Sequence, residues 1–411
     1  MKDNIYIIGA ATTPFRKWPE KSVKTLATEV VSDALRDAGL EADQIEAAWF
    51  SNTRQPMLEG QNTIRGQIAL GAAGLPSVPI FNIENACASG SSAVFNAANH
   101  IRAGQADIAM AVGVEKMFFT DRREKMFAAF MGGTDIEIVD ETAERMSAIG
   151  RDIIPESADN SAERSFFMDV YAAMARQHMK TFGTTQEHLA AAAAKAHFHS
   201  TLNPKSQYQQ DMSVEEVLAD KQIVWPFTRA MCAPISDGGA AVILARGSAL
   251  TDDQRKRAVE IKGVGIASAQ KREMTDYAQH AGRRAATIAY EQAGVDPADI
   301  DVVELHDASA FAEIQQIENL QLCPMGEGGA FTASGATKLG GSVVVNPCGG
   351  LMSKGHPVGA TGIAQVEELV LQLRGEAGAR QVEGARLGVA ENGGGFLHVE
   401  EGVTVVTVLS R

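Results

Sequence analysis

At 411 residues the chain is long for one compact domain and fits two or three. Hydrophobic residues make up 45% and charged residues 21%, enough for a sizeable core and too apolar for whole-chain disorder. A formal net charge of −14 argues against nucleic acid or an anionic membrane as the main partner, since both need a basic face. A small anionic ligand held by a local basic patch remains open.

The chain opens on MKDNIYIIGA, a strand-like run without signal-peptide character, and VKTLATEVVSDALRDAGL follows with helical periodicity. EAAWFSN then reads as strand, QNTIRGQIALGAAGL as helix, VPIFNI as strand, SGSSAVFNAANHIRAG as helix and DIAMAVGVE as strand. Alternation of this kind predicts α/β layering. From about 118 to 240 the texture becomes rich in Met, Ala, Arg and His, which predicts a mostly helical insertion, a natural carrier of substrate contacts.

The second half repeats the first. ALRDAGLEADQIEAAWF (34–50) aligns without a gap on AYEQAGVDPADIDVVEL (289–305), with Gly39 on Gly294 and Ile45 on Ile300. In each copy a helix stops at Gly, a turn follows and a strand begins, so the chain reads as a duplicated α/β unit. CASGSSA in the first half has a counterpart in HPVGATG in the second. Each places a reactive side chain three residues before a glycine, Cys87 before Gly90 and His356 before Gly359, leading into an apolar helix. Cys87 alone reads either as a small buried thiol at a strand–helix junction or as a nucleophile at a helix start, and a pseudo-twofold would bring the two helix starts together and give the thiol a base.

Cys87, Cys232, Cys323 and Cys348 are scattered without CxxC spacing, which suits a reducing compartment and neither a zinc site nor a disulfide framework. No apolar run approaches the roughly 18 residues of a membrane span, so the expected location is the cytoplasm. HFH (197–199) lacks carboxylate or cysteine partners at ligand spacing, and its expected place is lid packing or the surface rather than a metal. ENGGG is not a nucleotide loop, because neither GxGxxG nor a P-loop lysine is present.

SNTRQPMLEGQNTIRGQIALGAAGLP, NACASGSSA, VGVEKM, CAPISDGGAA, VVELHDASAF, NPCGGLMSKGHPVGATG and VAENGGG together resemble the thiolase superfamily over nearly the whole chain. His306-Asp307 and CPMGEGGAF are similar to its sterol-carrier-protein-type and archaeal branch. The resemblance implies a thiolase fold: duplicated five-stranded α/β halves layered α-β-α-β-α, with a helical loop domain over coenzyme A. The expected boundaries are 1–117 with 236–250 for the first half, 118–235 for the loop domain and 251–411 for the second half. A homodimer or dimer of dimers is implied, and so is a possible small OB-fold/zinc-ribbon protein as partner.

The implied chemistry is thiolytic cleavage of a 3-oxoacyl-CoA, or the reverse Claisen condensation, with coenzyme A as substrate and no resident cofactor or metal. Cys87 matches the nucleophile and His356 its activator, with Gly90 giving a close turn and room for the acyl group. His306 stands where it can donate to a thioester oxygen, and Asp307 supports its loop. The backbone N–H groups of Cys87 and Gly393, beside Gly394, match an oxyanion hole. Arg123, in the basic run TDRREK, is a candidate for the CoA phosphates.

The chain departs from the family where a second acid/base is expected. Glu391 occupies the cysteine position of CxGGG, and Ala308 that of the cysteine in HDCF. Cys348, Glu391 and His306 are the candidate replacements. The departure suits a bulkier substrate, aromatic, branched or carboxylated. An acyltransferase with a non-CoA acceptor and a non-catalytic CoA-ester-binding subunit are the alternatives. Cys232 and Cys323 are expected to be structural, and the Met-rich runs KMFAAFMGG and MKTF either a substrate wall or ordinary core.

Overall fold

The structure, a computed structural model, describes residues 4–411, so the first three residues of the opening run lie outside it. The first repeat contributes β1 (Ile5–Thr12), β2 (Ala47–Ser51), β3 (Ile80–Ile83) and β4 (Ile108–Glu115). A small hairpin, β5 (Gln222–Val224) and β6 (Phe227–Thr228), precedes β7 (Gly238–Arg246). The second repeat supplies β8 (Val259–Ser268), β9 (Val302–Glu304), β10 (Val344–Val345), β11 (Leu387–Gly394) and β12 (Val403–Ser410).

The strand order β3-β2-β4-β7-β1 in one half is reproduced as β10-β9-β11-β12-β8 in the other. The halves join where β1 and β8 run antiparallel, Tyr6 opposite Glu260 and Ile7 opposite Val259. The duplication is also visible locally. Gly39 (φ 64°) and Gly294 (φ 67°) end equivalent helices in the left-handed conformation that glycine takes without a Cβ penalty.

Alternation along the strands builds the layers. In β4, Ala109 and Ala111 face the centre, while Met110 and Val112 face outward onto the helix Val23–Ala38. The helix Ala281–Ala293 covers the second half in the same way. Between the two five-stranded halves of the sheet lie two helices, Ser89–Arg102 and Thr361–Arg374. The latter is buried at every position but Leu371, as a helix packed on all sides must be. Its buried charges are paired, Glu368 with Arg380 at 2.9 Å and Arg374 with Asp37 at 2.8 Å.

These two helix starts cross almost in backbone contact. A Cβ on Gly90 would lie 2.9 Å from the Ile363 nitrogen, and one on Gly362 would lie 2.3 Å from Ser91 Oγ. The space beside Gly90 is therefore filled by the partner helix start, Gly359 O, Gly362 N and Ile363 N, rather than by an acyl group.

The chain leaves the first sheet after Glu115 and returns at Gly238. The excursion carries the helices Arg123–Met131, Val139–Ala148, Phe166–Phe182 and Gln186–Thr201; the core of the last three joins Phe311, Leu351 and Phe396 of the second half, while the first packs Met126 and Ala129 against Leu58. Asp237 ties its two ends together. It accepts from the backbone N–H groups of Met117 (2.6 Å), Phe118 (2.7 Å) and Trp18 (2.9 Å), and its carboxylate pairs with buried Lys116 at 2.7 Å. Among the described residues no helix is long and apolar enough to cross a membrane.

Candidate active site

A cavity of about 230 Å³ opens where the insertion meets the two central helix starts, and Cys87, His306, His356 and Gly393–Gly395 form its floor. Its upper wall is apolar, with Phe127, Phe130 and Met168 among the lining residues.

Cys87 sits on a tight turn. Ala86 takes a left-handed φ of 48°, unusual for a residue with a Cβ, and Ser89 holds the turn by accepting from Asn85 N–H (2.8 Å) and donating to the Ala86 carbonyl (2.6 Å). The Cys87 Sγ lies 3.3 Å from His356 Nε2. Thr361 donates its hydroxyl to the Pro357 carbonyl (3.1 Å), so at 2.7 Å it accepts from His356 Nδ1–H. That assigns the tautomer with the Nε2 lone pair toward the thiol. Burial pushes the thiol up to about 11, opposed by the Arg54 charge and the Gly395 N–H, and burial holds His356 well below the usual histidine range. The resting pair is neutral thiol and neutral imidazole.

The same logic sets the other ring. Ser91 donates to Asn392 Oδ1 at 2.9 Å, so the Asn392 amide nitrogen faces His306 Nδ1 at 3.1 Å and donates to it. His306 then carries its proton on Nε2. Burial lowers its pKa to about 4, so it is a neutral donor at pH 7. The two histidine rings meet edge to face, centroids 5.1 Å apart. Cys87 Sγ and one nitrogen from each ring lie within 4.8 Å of one another, so a single carbonyl can meet nucleophile, base and donor together. The trio also has the donor set of a zinc site, but the thiol faces an imidazole nitrogen as a nucleophile faces its base.

The remaining candidates fall elsewhere. Cys348 does not line the cavity; it is buried with its Sγ donating to Glu304 Oε2 at 3.0 Å. Glu391 is also outside the lining. Its Oε2 accepts the His306 backbone N–H at 3.0 Å, and burial, with Glu401 and Asp307 nearby, raises its pKa well above the carboxylate range. Both are excluded from direct contact with a substrate in this cavity by where their strands and loops place them. Asp307 accepts from the Leu351 N–H at 2.7 Å, holding the loop before His356. Arg123 lies outside the lining and pairs with Glu163 at 2.7 Å.

His197 and His199 are packed inside the insertion, on the helix Gln186–Thr201, and not on the surface. His197 meets the Ala230 carbonyl (3.2 Å) and His199 the Asn346 carbonyl (3.0 Å). Cys232 lines the cavity, its thiol donating to the Thr228 carbonyl at 3.4 Å. Sequence reasoning also passed over Arg54, Tyr171, Thr361, Asn392 and Gly395. Four of them stand inside quoted strings, but only the fold says which face the thiol.

The thiolase N-terminal domain family matches residues 5–224, and the thiolase C-terminal domain-like family matches residues 263–411. The chain belongs to the thiolase family. It is 36% identical to an acetyl-CoA acetyltransferase of Methanothermobacter thermautotrophicus over 100% of both chains. It is 35% identical to sterol carrier protein 2 of Bos taurus, over 95% of this chain and 70% of the relative. It is 30% identical to benzoylsuccinyl-CoA thiolase subunit BbsB of Thauera aromatica, over 93% and 92%. The fold is shared with an Ltp2-ChsH2(DUF35) aldolase, with TM-score 0.76, 22% identity and coverage of 99% and 97%. It is also shared with the Acat5 thiolase of Ascaris suum solved with coenzyme A, with TM-score 0.66, 20% identity and coverage of 99% and 100%. The chain is thus an acyltransferase of the thiolase type acting on acyl-CoA thioesters.

Proposed function

We propose that this thiolase cleaves or forms the C2–C3 bond of a 3-oxoacyl-CoA through an acyl-Cys87 intermediate. The observation that carries the reading is the 3.3 Å contact between Cys87 Sγ and His356 Nε2, with the ring oriented by Thr361. In the cleavage direction His356 takes the thiol proton as sulfur attacks the C3 ketone. The C2–C3 bond then breaks, leaving the acyl group on Cys87 and the electron pair on C2 as an enolate. His306 Nε2–H donates to the enolate oxygen, a contribution on the order of 10²–10³ in rate for such a donor. The proton held by His356 goes to C2. Coenzyme A then attacks the Cys87 thioester, and its thiol proton returns through His356 to Cys87.

With Cys348 and Glu391 outside the cavity, His356 can close the proton balance alone, which accounts for the missing second cysteine. The Cys87 and Gly393 N–H groups are proposed to hold the oxyanion at C3, beside Gly394 and Gly395. Coenzyme A is a substrate on this reading, and no resident cofactor or metal enters any step.

We also propose a homodimer. β3 is a sheet edge, and its Phe81 is 43% exposed and stacked on Trp49 at 5.0 Å, a ready template for a second copy. A small OB-fold/zinc-ribbon partner, a cytoplasmic location and the loop-domain boundaries 118–235 stand with the family reading.

The test is intact-mass spectrometry after incubation with acetyl-, acetoacetyl-, longer and aromatic acyl-CoAs, with Cys87→Ala as control. One acyl mass that vanishes in the variant and is discharged by coenzyme A supports the reading. An acyl-enzyme that coenzyme A does not discharge would favour a non-CoA acceptor. No labelling, alone or with a co-expressed OB-fold protein, overturns it.

A further inference from the structure

The cavity contains one charge that its own residues leave unanswered. Arg54 is 6% exposed and lines the wall beside Cys87. Its Nη1 donates to the Ala129 carbonyl, its guanidinium lies 5.1 Å from the centre of the Phe130 ring, and its buried Nε has no acceptor. Among the described residues no carboxylate forms an ion pair with it. Glu115, the buried carboxylate that feels its charge, instead accepts from the backbone N–H of Arg54 (2.9 Å), from Thr53, Asn52 and the Gly359 N–H.

The other charged groups of the lining are all paired. Glu163 binds Arg123 at 2.7 Å, Arg164 binds Asp169 at 2.8 Å, and Arg229 binds Asp220 at 2.7 Å. Arginine does not relieve burial by losing its proton, and a buried charge without a counter-ion is costly. An acyl-CoA whose acyl chain is neutral would seal that charge into an apolar pocket and make the cost worse.

We propose that Arg54 is the receptor for a carboxylate on the acyl chain, so that the preferred substrates are carboxylated acyl-CoAs. The proposal rests on the thiolase reading for the position of the acyl group. Arg54 is close enough to Cys87 and His356 for its charge to be felt at both. The anions of coenzyme A itself are at the other end of the pantetheine arm from the reacting sulfur, so the anion that reaches Arg54 belongs to the acyl group. Its Nη1 is spent on the Ala129 carbonyl and no protein acceptor takes Nη2, so the guanidinium keeps a charged donor for one carboxylate oxygen, while Nε lies buried behind it.

An alternative duty for Arg54, steadying the Cys87 thiolate, is separated by working without the thiolate. Equilibrium binding is measured on Cys87→Ala protein for malonyl-, succinyl-, glutaryl- and adipyl-CoA, each against the neutral acyl-CoA of the same carbon count. At least one carboxylated member should bind about tenfold or more tighter than its neutral partner, the scale of a charge-assisted hydrogen bond. Adding Arg54→Gln should erase that ratio without weakening the neutral member, whose unchanged or tighter Kd also reports an intact pocket. Arg54→Lys should keep part of the ratio, since it retains charge and loses the fork.

Equal affinity for the charged and neutral members, or a ratio that survives Arg54→Gln, overturns the proposal. So does equal weakening of both members in that variant. Because binding is read without acylation, these outcomes are independent of whether acyl-Cys87 forms in the parent enzyme.

Discussion

Asn392→Asp is the sharpest test of how the His306 donor is made. The substitution keeps the shape of the side chain, which matters because a Cβ on Gly362 would already lie 2.4 Å from Asn392 Oδ1. In the parent, Ser91 donates to Oδ1 at 2.9 Å and the amide nitrogen donates to His306 Nδ1 at 3.1 Å, which leaves the ring proton on Nε2. An aspartate has no proton to give. Its carboxylate would draw the ring proton to Nδ1 and turn a lone pair, instead of an N–H, toward the enolate oxygen. The expected loss is that of one oxyanion donor, ~10²–10³ in rate or about 3–4 kcal/mol in barrier.

The carboxylate also favours the imidazolium, so the His306 pKa rises from about 4. Below that raised value both ring nitrogens carry protons and the donor returns. The variant should therefore lose most at pH 8 and recover part of the rate as pH falls, the reverse of a simple loss of fold. The assay is exchange of the α-hydrogens of a bound acyl-CoA into D₂O, followed by NMR, which reads enolate formation without needing acyl transfer. Exchange within about threefold of the parent at pH 8, in a variant with an unchanged melting curve, would refute the assignment of His306 Nε2–H as donor.

Other outcomes follow from the same geometry. Because burial raises the Cys87 pKa to about 11, alkylation by iodoacetamide should climb log-linearly with pH from 6 to 9; a plateau in that range would mean a preformed thiolate–imidazolium pair. Asp237→Ala leaves buried Lys116 without its partner and frees Met117 of the cavity wall, so stability should fall by roughly 3–5 kcal/mol in urea unfolding. A loss below about 1 kcal/mol would show that water reaches Lys116. Phe81→Glu places a charge on the exposed edge strand and should shift a dimer to monomer in mass photometry, whereas an unchanged dimer would move the interface elsewhere.

The sequence determined the layers and the duplication because those are local properties written with short periods. The run 34–50 and its copy 289–305 carry the same helix, glycine stop and strand, and the chain folds them into equivalent places. Cys87 and His356 were legible as a pair through the matched strings of the two repeats and the thiolase resemblance, since small neighbours at a helix start alone suit a buried thiol equally well.

Tertiary structure decided which candidates share a space. Cys348 stands in a string beside His356 yet turns its thiol to Glu304, and Glu391 stands beside Asn392 yet faces the His306 backbone. Adjacent residues on a strand point to opposite faces, so one residue of register separates Asn392, which bonds the His306 ring, from Glu391, which lies outside the cavity lining. Arg54 is unremarked in sequence for the same reason: a buried charge is defined by the partners around it, and those come from segments far apart in the chain.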